Sequence, residues 1–188
     1  CGNEYGSWYL PTLSGVARSI NFYPVGSEQP FDGIASIGFG LGKLIVDGGV
    51  ALRFSPKYPK KILQLASPET AIRQTQKYFY ALNTDPDTFE PMVDDGMNLL
   101  KLEIKDAYSI PDLRHTVSTY DMQSGMLRDG FYDEGLKLVT FAPILKHGIF
   151  PLAEILTDLL SIGQKEMNNH IEIEFALNMS PRGGTPKM

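Results

Sequence analysis

Glu172 and Glu174 are the residues whose types and spacing most plainly suggest chemistry. They stand in His-Ile-Glu-Ile-Glu-Phe-Ala-Leu-Asn-Met, residues 170–179, where polar or small residues alternate strictly with apolar ones. Successive side chains of a strand point to opposite faces. Ile171, Ile173, Phe175, Leu177 and Met179 should therefore face a core, with His170, Glu172, Glu174, Ala176 and Asn178 together on the other side. The two carboxylates would lie roughly 6.6 Å apart along the strand. Like charges so placed repel unless a cation sits between them, and magnesium favours carboxylate and phosphate oxygens. Asn178 could add an amide oxygen from the same face. The plainer account is a half-buried edge strand with a solvated acidic face.

A second candidate is the glycine-rich turn Gly38-Phe39-Gly40-Leu41-Gly42-Lys43. Such turns let backbone amides approach phosphates. The spacing excludes two familiar phosphate loops. Ile37 stands where a P-loop needs its first glycine, and Leu44 where it needs Ser or Thr; Ile45 occupies the last glycine of a dinucleotide fingerprint. A tight hairpin turn is the plainer account here too. Arg53, on an expected strand after the turn, could reach a phosphate, whereas Lys57, Lys60 and Lys61 read as solvated. His115, His147 and His170 are scattered and show no zinc-ligand spacing.

These residues must be positioned by a chain of 188 residues, long enough for one sizeable core. Its 43% hydrophobic and 21% charged content is that of an ordinary globular protein. A net charge of −5 argues against nucleic acid as a partner, while allowing a local basic pocket. No apolar run approaches the roughly 20 residues that cross a bilayer. A single cysteine, Cys1, fits a reducing, cytoplasmic setting. The start at Cys1 and the loop-like tail from Ser180 to Met188 are read as the ends of a segment of a larger polypeptide.

Strands are expected over 15–24, 33–39, 50–54, 97–104, 116–121 and 136–141. A short helical piece should follow the glycine turn and close at Gly48-Gly49. Ser67-Pro68 should start a helix running to about residue 82, with Tyr78, Phe79 and Tyr80 packing from it. Pro151 should open the clearest helix, with Leu152, Ile155, Leu156, Leu159 and Leu160 at helical spacing. The expected class is α+β: a single domain, 1–188, with a mixed, mostly antiparallel sheet and two main helices.

Three motifs occur in order: Ser14-Gly15-Val16, Gly40-Leu41-Gly42 leading to Gly48, and Glu172-Ile173-Glu174-Phe175. Together they resemble the nucleotide-binding domain of phosphoenolpyruvate synthase and pyruvate phosphate dikinase. The resemblance implies an ATP-grasp-like lobe that binds ATP and Mg2+ within a phosphotransferase. Glu174 matches the family's metal-binding glutamate, Glu172 its preceding aspartate, and Gly40 and Gly42 the glycines beside the nucleotide. Lys43 stands where the family has Glu, a charge reversal. The family's phosphate-gripping Lys and Arg and its Gln-x-Arg-Pro element are absent from this chain. The resemblance therefore implies that the rest of the grip lies on other domains of the parent, that the segment alone is inactive, and that pyruvate is the eventual phosphoryl acceptor. The alternative is a non-catalytic lobe for nucleotide sensing or partner docking, which Lys43 favours and the acidic strand disfavours.

Overall fold

A computed structural model describes residues 2–91, 96–179 and 185–188. In chain order its elements are β1 (Asn3–Tyr5), β2 (Trp8–Leu10), β3 (Leu13–Arg18), β4 (Ile34–Gly38), α1 (Lys43–Val46), β5 (Leu52–Phe54), α2 (Pro68–Gln74), β6 (Tyr78–Asn83) and β7 (Leu99–Glu103). They continue as β8 (Val117–Asp121), β9 (Met126–Asp129), β10 (Leu136–Val139), α3 (Ala142–Leu145), α4 (Leu152–Met167) and β11 (Glu172–Leu177). The class is α+β. The strands form three sheets, ordered β1-β2-β6-β7, β10-β8-β9 and β11-β3-β4-β5. The ladders are antiparallel throughout, so the single mixed sheet expected from sequence is replaced by three separate antiparallel ones.

The sheet β11-β3-β4-β5 has two unlike faces. Leu13, Ala17, Ala35, Ile37, Phe54 and Leu177 are buried on one of them. On this side α4 covers the sheet with Leu152, Leu156 and Leu160, and Ile171 packs directly on Gly163. The helix starts after Pro151, as its spacing predicts, and ends at Asn168 in the left-handed conformation that suits a short polar side chain. Along β11 the expected alternation is observed: Glu172 and Glu174 are exposed, while Ile171, Ile173 and Phe175 are half-buried and pack on the core. β11 is an edge strand, so exposure of its acids follows from topology alone. Any functional reading must rest on what those acids face.

The helix opened by Ser67 is much shorter than expected. Ser67 does cap it, accepting from the Thr70 amide at 3.2 Å, but α2 ends at Gln74 because Thr75 turns the backbone to extended values (φ −99°, ψ 156°). Tyr78, Phe79 and Tyr80 consequently lie on β6 and pack from a strand, not from a helix. Aromatic residues suit a pleated surface, and the burial here has period two: Tyr78 exposed, Phe79 buried, Tyr80 half-buried, Ala81 buried. Phe79 meets Phe39 edge to face at a centroid distance of 5.2 Å and Trp8 at 6.2 Å, which joins this sheet to the end of β4. The strand expected over 15–24 is also shorter: β3 stops at Arg18, and a loop of residues 19–33 follows.

A buried polar node closes the other end of β3. Thr12 Oγ1 donates to Asp112 Oδ2 and accepts from the Met179 amide at 2.8 Å, tying β3, the Pro111–His115 turn and the exit of β11 together. Burial pushes the hydroxyl of neighbouring Tyr5 up from its ordinary value, and the Asp112 charge adds to that. Of the C-terminal tail, residues 180–184 lie outside the described residues; Lys187 pairs antiparallel with Asn178. Among the described residues, no helix is long and apolar enough to cross a membrane.

The strand position of the aromatic trio makes neighbouring residues respond oppositely. Phe79→Ala should destabilise the protein by about 3–5 kcal/mol, whereas Tyr78→Ala, at an exposed position, should stay within about 0.5 kcal/mol. Urea unfolding of both variants checks this; equal losses would contradict the strand assignment.

Candidate functional site

Antiparallel pairing decides what the two acids face. Glu172 stands opposite Arg18 and Glu174 opposite Val16, and directly opposed residues share a face. The Arg18 guanidinium Nε donates to Glu172 Oε2. Both side chains are about half exposed, at 54% and 47%, and such a surface pair is worth only about 0–1 kcal/mol. Glu174 has no ion pair among the described residues. It borders a cavity of about 440 Å³ whose other walls are Ser14 and Val16 of β3 and Gly42, Lys43 and Val46 around α1. That volume lies within the range of small-molecule sites. The sequence-predicted glycine turn and acidic strand therefore meet across one cavity, although about 130 residues separate them in the chain.

The turn is rigid for identifiable reasons. Gln76, 4% exposed, accepts from the Phe39 amide at 2.8 Å and donates to the carbonyls of Phe39 at 2.9 Å and Tyr78 at 2.8 Å. The Leu41 amide donates to the Tyr80 carbonyl at 2.9 Å, and Ser14 Oγ donates to the Gly40 carbonyl at 2.7 Å. Gly40 has φ 88°, and a Cβ there would come within 2.7 Å of the Tyr80 carbonyl oxygen. Only glycine fits, so the fold itself accounts for Gly40. Gly42 differs. Its backbone is helical, and a Cβ would meet only Ser14 Cβ, at an ordinary 3.7 Å. The fold makes no demand for glycine there, and the missing side chain leaves the cavity wall open.

Lys43, also on the cavity wall, is held by Asp47 at 3.1 Å and stands 5.9 Å over the Tyr80 ring. The remaining site candidates are dispersed. Arg53 shares the open face, in the cross-strand row Glu174–Val16–Ser36–Arg53. It is three strand spacings from Glu174, roughly 14 Å, and lines a different cavity. Asn178 lies beyond the cavity, with its backbone paired to Lys187 at 2.8 and 3.0 Å. His147 contacts Asp129 at 3.1 Å and His170 stacks on Phe31 at a centroid distance of 6.2 Å, so the two have different partners. No group of three His, Cys, Asp or Glu among the described residues has a metal-binding arrangement. Magnesium held chiefly by substrate phosphates needs only one or two protein carboxylates. Glu174 supplies one hard oxygen donor at the cavity, whereas Glu172 is paired with Arg18 and does not line it. Gln76 and Arg18 are the residues that sequence reasoning missed as partners; only the register of β3 on β11 and the course of the chain after α2 bring them into place.

The chain matches no protein-family model, no curated protein and no solved structure.

Because Gln76 satisfies both polar groups of buried Phe39, Gln76→Ala should destabilise the protein by about 2 kcal/mol, the scale of a stranded buried polar group. The expected reading is a lower urea midpoint with an unchanged m-value. A loss under about 0.5 kcal/mol would show that other contacts hold the turn.

Proposed function

We propose that this protein is an ATP-grasp-like lobe that holds Mg-ATP for phosphoryl transfer in the cytoplasm, as part of a phosphotransferase of the phosphoenolpyruvate synthase and pyruvate phosphate dikinase type. One observation carries the reading: Glu174, on the part of the sheet face that α1 leaves uncovered, borders the same cavity as Gly42 of the clamped turn. Along the rows Glu174–Val16–Ser36–Arg53 and Glu172–Arg18–Ile34, every residue is exposed or half-buried.

Phosphoryl transfer depends more on positioning and charge neutralisation than on covalent participation by the protein. Magnesium, when bound, neutralises charge on the phosphates. Glu174 would hold it directly. Glu172 would join once released from Arg18, a pair weak enough to open. Arg18, freed in that way, would offer a guanidinium to a phosphate on the same face. The rigid turn would fix one wall against the ligand, and Gly42 would let it approach closely. The phosphoryl acceptor, pyruvate by resemblance, and the groups that complete the grip would come from the remaining domains of the parent.

The second reading is a nucleotide-sensing or docking lobe without catalysis. Its support is Lys43, which is engaged with Asp47 and Tyr80 and brings a positive charge where the resembled enzymes carry a glutamate.

Calorimetric titration of the native-length protein with ATP, with and without magnesium, should show magnesium-dependent binding. Glu174→Gln should weaken that dependence about 10–100-fold, the scale typical of residues supporting a bound metal, with an unchanged fold by circular dichroism. Binding without any phosphoryl transfer would select the docking reading. Full magnesium dependence in the variant would remove Glu174 from the site.

A further inference from the structure

The loop of residues 19–33, between β3 and β4, is built inside out. The polar side chains of Asn21, Glu28 and Asp32 stitch it together from within. Asn21 is 1% exposed; its Nδ2 donates to Glu28 Oε2 at 3.1 Å, its Oδ1 accepts from the Tyr23 amide at 3.0 Å, and its own amide donates to the Pro30 carbonyl at 2.7 Å. Glu28 Oε2 also accepts from the Val25 amide at 3.1 Å. Asp32 Oδ2 accepts from the Gln29 amide and Asp32 Oδ1 pairs with Lys57, each at 2.7 Å; Lys61 reaches Ser27 Oγ at 2.9 Å. The apolar side chains meanwhile stand in water: Phe22 is 70% exposed, Tyr23 80%, Val25 43% and Phe31 73%. A loop so ordered, yet presenting aromatic rings to solvent, is preorganised for something that covers them.

Tyr23 and Val25 overhang a cavity of about 420 Å³. Ile34 and Phe54 contribute to its apolar lining, and Leu63, 62% exposed, stands on its wall. Arg53 and Lys61 also line it, and Glu28 is its one acid. Two cations against one carboxylate is a local positive excess in a chain of net charge −5. One oxygen of that carboxylate is already committed to the loop. The Arg53 backbone is fixed, its amide donating to Gln64 Oε1 at 2.8 Å while Gln64 Nε2 donates to the carbonyls of Ala51 and Gln74, both at 3.0 Å. The Arg53 guanidinium has no ion pair among the described residues. An apolar slot with a planar cation at its side matches one ligand chemistry: a flat ring stacking on Tyr23 and an anionic group meeting the guanidinium fork.

We propose that this cavity is a second binding site, specific for a small aromatic or heteroaromatic anion bearing a carboxylate or phosphate. It shares no lining residue with the cavity beside Glu174, and its assignment does not rest on the nucleotide reading of that cavity.

The test is calorimetric titration of the native-length protein with indole-3-carboxylate, AMP and uncharged indole. The expected result is saturable binding of indole-3-carboxylate or AMP, with indole at least about tenfold weaker, as befits loss of a charge-assisted contact. Arg53→Gln should weaken the anion about tenfold or more while leaving indole unchanged. Tyr23→Ala should weaken both, with the unfolding midpoint unmoved because Tyr23 is exposed. Absence of saturable binding by both anions, or binding unaffected by both substitutions, overturns the proposal. If AMP alone saturates and is insensitive to Arg53→Gln and Tyr23→Ala, it occupies another site and the proposal likewise fails.

Discussion

The structure depends most on the buried side chain of Gln76. It grips both polar groups of Phe39, and so fixes the first residues of the glycine turn to the start of β6. A carboxamide is suited to this because it carries both donors and an acceptor. With Phe39 held, its ring meets Phe79, and the aromatic contact joins the sheet β1-β2-β6-β7 to the sheet β11-β3-β4-β5. The next residues then follow: Gly40 is forced against the Tyr80 carbonyl, Ser14 closes on the Gly40 carbonyl, and Gly42 arrives beside Glu174. The polar contacts are buried and mutually dependent, so the turn behaves as part of the core although it borders a surface cavity.

The open sheet face is the complement of that rigid seam. α4 and the core cover one side of β11-β3-β4-β5, leaving Arg18, Arg53, Glu172 and Glu174 in water on the other. Charges left in high dielectric interact weakly with each other and remain available to a ligand. The pairing of Arg18 with Glu172 is therefore compatible with a binding face, because its small worth lets an incoming phosphate or divalent ion replace it. The two cavities at opposite ends of this face differ in character. One is walled by a glycine turn and a carboxylate, the other by Tyr23, aliphatic side chains and two cations.

Much of this was legible in the residues. The alternation in 170–179 identifies the faces of β11, and the period-3.6 leucines after Pro151 identify α4, since both patterns are local consequences of backbone geometry. The strand at Tyr78-Phe79-Tyr80 is not legible in the residues, because a short aromatic run has no period of its own and follows directly on a well-capped helix. Among the site residues, Glu174 and Gly42 were both singled out in sequence and share a cavity. Arg53, grouped with them there, lines a separate one. Strand order, not the spacing of residues along the chain, sets that separation.

The sequence by itself determined which residues alternate, which recur at helical spacing, and where the Ser67 cap and Gly48-Gly49 punctuate the chain, because those depend on a few neighbouring residues. Only the tertiary structure decided that the strands divide among three sheets, that Arg18 stands opposite Glu172, that Gln76 clamps Phe39, and that the loop of residues 19–33 holds Tyr23 outward over a cationic cavity. Each of these is a pairing between distant segments. Register and burial select such pairings globally, by satisfying buried polar groups and covering apolar area, and no local pattern encodes them.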